Sequence, residues 1–428
     1  MKIFKKIIIF FILILFLFSN FSFADNGTNL EIYSEAAILI DSNSGKILYS
    51  KNINEKRYPA STTKILTAIL AIEHFSLDEK LTASYEAVMS IPSGYSNAAI
   101  QVGETLTVKE LLEVFLVHSA NEAGYILAEG ISGSVSQFAN LMNKKALELG
   151  CQNTHFTNPS GLHDENHYST AYDLSQIAKY CMKNEVFRSI VSMRTCTIPA
   201  TDMYEERFFR NTHEMLNSKS EYYNENVIGI KTGYTSQSKN CLISGYKNGD
   251  VELISVVLSA PASVGNKGTS GKYTDTQTLF NYGINNFSYK NIGIAGQVVT
   301  QIEIENAKSN NKHLNLILDK NIEVFIDNSI NLETLQPEIK INENITAPIS
   351  TGDIVGTATY TVDGETYTTN LLASHDVEPT TYLKNILKIF LSLITLVIVY
   401  EFMYARKKDK KKKKKKSTGK YLYGRVKY

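Results

Sequence analysis

Cysteine is sparse in this chain and carries no metal-binding or redox spacing. The four thiols among 428 residues, Cys151, Cys181, Cys196 and Cys241, include no Cys-x-x-Cys, which excludes a zinc ribbon and a dithiol redox motif. An exported chain is allowed a disulfide, but buried thiols are the plainer reading. His-Glu-x-x-His is absent as well, so His155, His163 and His167, close together in one loop, lack the pattern of a zinc peptidase. There is no internal repeat. Excess positive charge is missing from the body of the chain: the net charge of +1 divides into +3 from Lys2, Lys5 and Lys6, +12 over residues 406–428, and therefore −14 over residues 25–405. An acidic body offers no basic face to nucleic acid.

The charge that does exist sits at the two ends. Residues 1–24 have a lysine-bearing start, an unbroken apolar run from Ile7 to Phe18, and small residues Ser22 and Ala24, the pattern of a secretory signal cleaved after Ala24. An uncleaved anchor is the alternative. Residues 386–405 are mostly apolar and precede seven consecutive lysines, Lys410 to Lys416. A transmembrane helix there would leave residues 406–428 as a basic cytoplasmic tail and the acidic body outside the membrane. A helix lying on the membrane surface is the competing reading.

Between these ends the pattern changes twice. Ala36 to Asp41 and Lys46 to Lys51 flank Ser42-Asn43-Ser44-Gly45, which predicts a hairpin. From Ile65 the apolar residues Leu66, Ile69, Leu70 and Ile72 follow helical spacing, so Ser61 would open a helix. Thr107 to Ala120 and the stretch from Glu122 toward Glu129 are also helical, with Ser119 and Asn121 at their junction. Val227 to Lys231, Cys241 to Tyr246 and Val251 to Leu258 read as strands, the last two joined across Asn248-Gly249-Asp250. Helices between outer strands predict an α+β catalytic domain over 30–262 whose sheet mixes N-terminal and C-terminal strands. A connector over 263–289 then leads to a small β-rich domain over 290–376, where Gln301 to Glu305, Leu314 to Leu318 and Glu323 to Asp327 alternate.

Three short patterns carry the chemistry: Ser61-Thr62-Thr63-Lys64, Ser119-Ala120-Asn121 and Lys231-Thr232-Gly233. The first two spacings recur by chance elsewhere, for instance at Ser236 to Lys239 and Ser309 to Asn311. Lys231-Thr232-Gly233 occurs once and ends a predicted strand. A serine hydroxyl is a weak nucleophile and needs a base; three residues on along a helix, Lys64 shares its face. That base must be neutral, which burial and a second cation such as Lys231 promote. Gly233 lets a substrate backbone approach closely.

With these three motifs the chain resembles the low-molecular-mass penicillin-binding proteins of the serine D-alanyl-D-alanine carboxypeptidase family, peptidase family S11, which share their signature with class A β-lactamases. Tyr58-Pro59-Ala60 before Ser61, Asn158-Pro159-Ser160-Gly161-Leu162 and Tyr168 to Leu174 extend the likeness, as do the small β domain and the C-terminal anchor. The resemblance implies a β-lactamase/transpeptidase-like catalytic fold and a Ser61 acyl-enzyme with Lys64 as general base. It further implies that Ser119 relays a proton to the leaving D-alanine and that Asn121 binds the substrate amide and holds Lys64. Lys231 and Thr232 would bind the terminal carboxylate, and the N–H groups of Ser61 and Tyr234 would form the oxyanion hole beside Gly233. The expected partners are peptidoglycan stem peptides, β-lactams as inhibitors, and the membrane, with no nucleic acid, metal or cofactor. Ala120 replaces the Gly or Asp common in the family, at a position that is not itself catalytic. A β-lactamase would add a Glu-x-x-Leu-Asn between the second and third motifs, and this chain has none there. A non-catalytic wall-binding protein is the remaining rival, against which the intact Ser61, Lys64 and Lys231 argue.

Overall fold

The computed structural model describes residues 30–265, 268–380 and 382–418, so the expected signal peptide and residues 419–428 of the tail lie outside the described residues. The chain divides into two compact units, Met1–Ser288 and Tyr289–Tyr428.

The first unit begins with β1 (Ala36–Asp41) and β2 (Ile47–Lys51), then a 3₁₀ turn over Ala60–Thr63, α1 (Lys64–His74), β3 (Lys80–Thr82) and α2 (Tyr85–Met89). Next come β4 (Thr105–Thr107), α3 (Val108–Glu113) with a π-helical turn over Val114–His118, α4 (Asn121–Ser132), α5 (Val135–Glu148), α6 (Ala171–Cys181) and α7 (Glu185–Val191). The unit closes with β5 (Thr195–Ile198), β6 (Arg207–Arg210), β7 (Val227–Thr235), β8 (Lys239–Asn248), β9 (Val251–Ala260) and α8 (Gly271–Asn286).

Its main sheet has the order β2-β1-β9-β8-β7, all antiparallel, so N-terminal and C-terminal strands interleave as the alternation of elements implied and β7 stands at an edge. The β1–β2 turn forms because the Asp41 carboxylate accepts from the Ser44 backbone N–H at 2.8 Å, an Asx-type turn. β1 is buried along its whole length, and α6 and α8 both pack against β1 and β9. Strands covered in this way must be apolar throughout, as Ala36-Ala37-Ile38-Leu39-Ile40 is.

α1 lies deep inside. Its first eight residues, Lys64 to Ala71, are all buried, and α4, α5 and α6 pack around it. A helix enclosed on every side needs apolar residues on every side, and Lys64 is the exception within that turn. The helix expected over Thr107 to Ala120 starts with a capping box, Thr107 with Glu110, but widens into the π turn after Glu113. Helical spacing of apolar residues continues through the widening, so periodicity does not reveal it.

A buried charge network fixes the loop before β4. Glu104, 1% exposed, is ion-paired to Arg207 and accepts from Thr201 Oγ1 at 2.8 Å and Gln101 N at 2.9 Å. Arg207 Nη1 also donates to the Ala99 carbonyl at 3.1 Å. The loop held in this way carries Ser96 to the site.

The second unit contains β10 (Phe287–Gly293), β11 (Val298–Glu303), β12 (His313–Leu318), β13 (Ile322–Asp327), β14 (Glu338–Ile341), β15 (Ile354–Val362) and β16 (Glu365–Ala373). Its five-stranded sheet has the order β11-β12-β16-β15-β14, and β10 pairs with β13. Alternation is plain in β12, where Leu314, Leu316 and Leu318 face a core with Ile326, Val355 and Leu371. A single helix, α9, spans Tyr382–Thr418. It runs well past residue 405, where the apolar stretch ends, because lysine is a good helix former and no glycine or proline intervenes before Gly419.

Removing one partner of the Glu104–Arg207 pair strands the other charge in the core. Glu104→Ala is expected to cost about 3–5 kcal/mol in urea unfolding, whereas Glu303→Ala, which cuts the solvent-exposed Lys312–Glu303 pair, is expected to leave the urea midpoint close to that of wild type.

Candidate active site

The nucleophile candidate sits in a strained turn. Ser61 occupies the 3₁₀ turn before α1, one residue after Ala60, whose φ of 47° is left-handed for a residue with a side chain. That conformation costs on the order of 1–2 kcal/mol. The turn is clamped from two sides. Thr62 Oγ1 donates to the Pro59 carbonyl at 2.7 Å. Gly161, at φ 81°, lies so close that a β-carbon there would stand 1.8 Å from the Ala60 oxygen. Ser61 thus precedes the α-helix by one turn instead of opening it.

Lys64, fully buried, points its ammonium nitrogen at three oxygens: Ser61 Oγ at 2.8 Å, Asn121 Oδ1 at 2.7 Å and the Ser160 carbonyl at 2.7 Å. Burial, and after it the charge of Lys231, hold its pKa well below the ordinary lysine value, with Glu122 opposing. A neutral amine has two N–H donors and one lone pair. Two of its three neighbours are carbonyl oxygens, which only accept, so both N–H groups go to them and the lone pair is left facing the Ser61 hydroxyl.

The second motif flanks the end of the π turn. Ser119, buried and left-handed at φ 69°, reverses the chain so that α4 can start at Asn121. Asn121 Nδ2 donates to the Ser96 carbonyl at 2.9 Å, and its backbone N–H donates to the same oxygen at 3.0 Å. These bonds fix the amide so that its oxygen faces Lys64, and one Nδ2 hydrogen remains.

The third motif lies on edge strand β7. Lys231 is 1% exposed and donates to the Thr232 carbonyl at 3.1 Å. Burial first and the charge of Lys272 second push its pKa down to about 7. Thr232 Oγ1 is 2.7 Å from Thr212 Oγ1, and Thr212 is tied back to the π turn through its N–H to the Val117 carbonyl at 3.1 Å. Gly233 runs against the nucleophile turn, where a β-carbon would meet Pro59 O and Ser61 N at 3.1 Å each. Tyr234 is 65% exposed.

All eight candidate residues therefore lie in three segments: the Ser61 turn with α1, the π turn with α4, and β7. Hydrogen bonds join Ser61, Lys64 and Asn121 directly, and close backbone packing joins Gly233 to Ser61. Sequence reasoning assigned no role to the Ser160 carbonyl, the Ser96 carbonyl, Thr212 or Lys272. Only Ser160 had a signal, since Asn-Pro-Ser-Gly is turn-rich; Asn158 Oδ1 accepts from the N–H groups of Ser160, Gly161 and Leu162 and so shapes that turn. Two of the three loop histidines are hydrogen-bonded: His167 Nε2 lies 2.8 Å from Thr63 Oγ1 in the Ser61 turn, and His155 Nδ1 lies 2.7 Å from the Asn166 carbonyl. All four cysteines are free thiols in buried positions.

A half-buried serine hydrogen-bonded to a buried lysine, beside a cationic edge strand, is the arrangement of a serine acyl hydrolase. The family model of D-alanyl-D-alanine carboxypeptidases, peptidase S11, matches residues 23–262, and that of the penicillin-binding protein 5 C-terminal domain matches residues 287–379. The chain is 32% identical over 376 residues to the D-alanyl-D-alanine carboxypeptidase DacF of Bacillus subtilis, covering 85% of this chain and 91% of that one. It is 30% identical over 214 residues to a D-alanyl-D-alanine endopeptidase of Pseudomonas aeruginosa, covering 50% of this chain and 67% of that one. The crystal structure of penicillin binding protein 5 from Haemophilus influenzae superposes with a TM-score of 0.62 at 27% identity, over 81% of this chain and 98% of that one. The chain belongs to the S11 family of D-alanyl-D-alanine carboxypeptidases and is a serine-type hydrolase.

The burial of Lys231 has a thermodynamic consequence. A lysine with a folded pKa near 7 and an unfolded pKa near 10.5 has lost its proton in the fold while the unfolded chain still holds one, so it adds stability as pH rises through that window and subtracts stability below it. The stability difference between wild type and Lys231→Met, from urea midpoints at pH 7, 8 and 9, is expected to shift toward wild type by up to about 1.4 kcal/mol per pH unit.

Proposed function

We propose that the chain removes the terminal D-alanine from peptidoglycan pentapeptide stems through an acyl-enzyme on Ser61, and so limits crosslinking during cell-wall synthesis. The observation that carries this reading is the Lys64 environment, in which the buried amine lies within 2.8 Å of the Ser61 hydroxyl and its other two neighbours are carbonyl oxygens that can only accept. Lys64 takes the Ser61 proton as Oγ attacks the scissile carbonyl, whose oxygen is received by the N–H groups of Ser61 and Tyr234. Ser119 passes a proton to the nitrogen of the departing D-alanine, and Asn121 orients the substrate amide. Water then hydrolyses the ester and restores Ser61.

Lys231 and the Thr232 hydroxyl receive the terminal carboxylate. An anion there raises the Lys231 pKa, so that the side chain takes up a proton, and its charge in turn favours neutral Lys64. With the carboxylate at Lys231–Thr232 and the scissile carbonyl at Tyr234, the rest of the peptide runs along the edge of β7 toward the 235–239 turn. β-Lactams enter as acyl donors and inhibit, since no glutamate stands in the pattern that speeds deacylation in class A β-lactamases. Cleavage of D-alanyl crosslinks is a second reading, favoured by the endopeptidase relative and open to the same residues.

The membrane is the remaining partner. Between residues 389 and 400 α9 carries apolar residues on every face, with Phe390, Leu396 and Val399 exposed, and the segment Lys384–Lys413 is long and apolar enough to cross a bilayer. Apolar residues on every face favour spanning over lying on the surface, and the lysine run then stays cytoplasmic with the catalytic unit outside.

Incubation with a stem pentapeptide and mass spectrometry is expected to show loss of one alanine, and with labelled penicillin a covalent adduct; Ser61→Ala abolishes both. Labelling that persists in Ser61→Ala would reject the assignment. For wild type, the acylation rate is expected to rise with pH along a limb well below 10.5, and Lys64→Ala to lower it by roughly 10²–10⁴-fold.

A further inference from the structure

We propose that Glu122 is a positioning residue for the Ser61 reaction: its buried carboxylate fixes the loop that aims Asn121 at Lys64, and supplies the negative charge against which Lys64 takes up the Ser61 proton. The proposal deepens the carboxypeptidase reading above and rests on it, because it needs Lys64 to be the base.

Asn121 and Glu122 are consecutive on α4, and both grip the same loop. Asn121 donates to the Ser96 carbonyl from Nδ2 at 2.9 Å and from its backbone N–H at 3.0 Å. Glu122 Oε1 accepts from the Ala98 N–H at 2.5 Å. Arg207 Nη1 holds the loop as well, through the Ala98 and Ala99 carbonyls at 3.3 and 3.1 Å. The chain from Glu122 to the nucleophile is therefore continuous. It passes along the loop from Ala98 to Ser96, from Ser96 to Asn121, from Asn121 Oδ1 to Lys64 at 2.7 Å, and from Lys64 to Ser61 Oγ at 2.8 Å.

A loop clamp alone requires only an acceptor, and a glutamine carbonyl supplies one without the cost of burying a charge. Glu122 is 2% exposed, and its Oε2 has no hydrogen-bond partner among the described residues. What the extra charge acts on is Lys64. When Ser61 attacks, its proton moves to the Lys64 amine, which becomes an ammonium, and a buried anion stabilises that state.

The surrounding groups leave this role to Glu122. Lys231 on β7 lowers the proton affinity of Lys64, and Glu122 raises it. Burial pushes the pKa of His167, on the loop before α6, down to about 3, and lowers that of His118 on the π turn, so both are neutral. It pushes the Cys181 thiol on α6 and the Tyr125 phenol on α4 up, so both keep their protons. Lys145 on α5 and Arg188 on α7 are ion-paired, to Glu73 at 3.0 Å and Glu252 at 2.7 Å. Asp173 on α6 accepts from Thr154 Oγ1 at 2.7 Å, and Glu129 on α4 accepts from Ser84 Oγ at 2.6 Å. Glu113 on α3 has its pKa raised by burial, and Lys80, Glu86 and Lys109, on the other elements packed against α4, are exposed.

The test is the pH dependence of acylation by a labelled penicillin on the full chain, for wild type, Glu122→Gln and Glu122→Asp. Glu122→Gln keeps an acceptor for Ala98 and removes the charge. Its rising limb is expected to move to lower pH by about one unit, with a lower plateau above it, so that its profile crosses that of wild type. A rate lowered at every pH with the limb in place is what a purely structural role gives, and overturns the proposal. Glu122→Asp keeps the charge but is one methylene short of Ala98, and is expected to keep the wild-type limb at a rate lowered by about tenfold or more. If urea titration shows Glu122→Gln to be unfolded, Glu122→Asp decides alone, and a wild-type rate in it overturns the positioning role. A wild-type limb that Glu122→Gln leaves unmoved overturns this proposal and leaves the Lys64 base standing. Wild type with no such limb, or with no acylation, overturns both.

Discussion

The structure around Ser61 depends on one constraint: an amine has been placed at the start of a helix that has no water around it. Lys64 begins α1, and α1 is enclosed by its neighbours for its first two turns. A charged, unpartnered ammonium in that position would cost several kcal/mol. Nothing within α1 beyond the adjacent Ser61 turn can relieve it, because the helix's own carbonyls are occupied along its axis. Relief comes from Asn121 on α4 and from the 158–162 loop, segments far away in sequence, and each arrives with its own supports. The same oxygens that make the burial tolerable decide where the lone pair points. Folding this region correctly and orienting the Lys64 amine are thus one event.

A second layer of the same constraint is the accumulation of positive charge. Lys231 and Lys64 are both buried, and Lys272 acts on Lys231 from the first turn of α8. Each cation lowers the proton affinity of the next. On the proposed reading, a substrate carboxylate relieves this accumulation when it binds. The cleft's polar frame is held from further out, where Ser96 positions Asn121 and the Glu104–Arg207 pair anchors the loop that carries Ser96.

How much of this the sequence disclosed follows from the range of each interaction. The β1–β2 hairpin, the three C-terminal strands and the alternation of β12 are set by neighbours within a few residues, and they were legible. The family resemblance rested on side chains whose identity is visible in the sequence. The Ser160 and Ser96 contacts are made by backbone carbonyls, which every residue has, so no letter marks them. Lys272 gave no sign because its relation to Lys231 exists only after β7 and α8 are packed. The π turn and the 3₁₀ turn keep helical spacing of apolar residues, and the pattern cannot distinguish one helical form from another. The length of α9 was missed because hydrophobicity ends at residue 405 and helix propensity does not.

The position of β7 has a further consequence. A strand at the end of a sheet has one side of its backbone unpaired within that sheet, and backbone pairing along such an edge reads direction and length but not sequence. On the carboxypeptidase reading proposed above, selectivity falls to the two ends of the groove: one end takes a free carboxyl terminus, and the other meets whatever side chain comes next. An enzyme built in this way sorts its clients as a gauge sorts rods, by what their tips carry. On that reading, internal stretches of ordinary protein have no such tip to offer at the lysine end and are passed over.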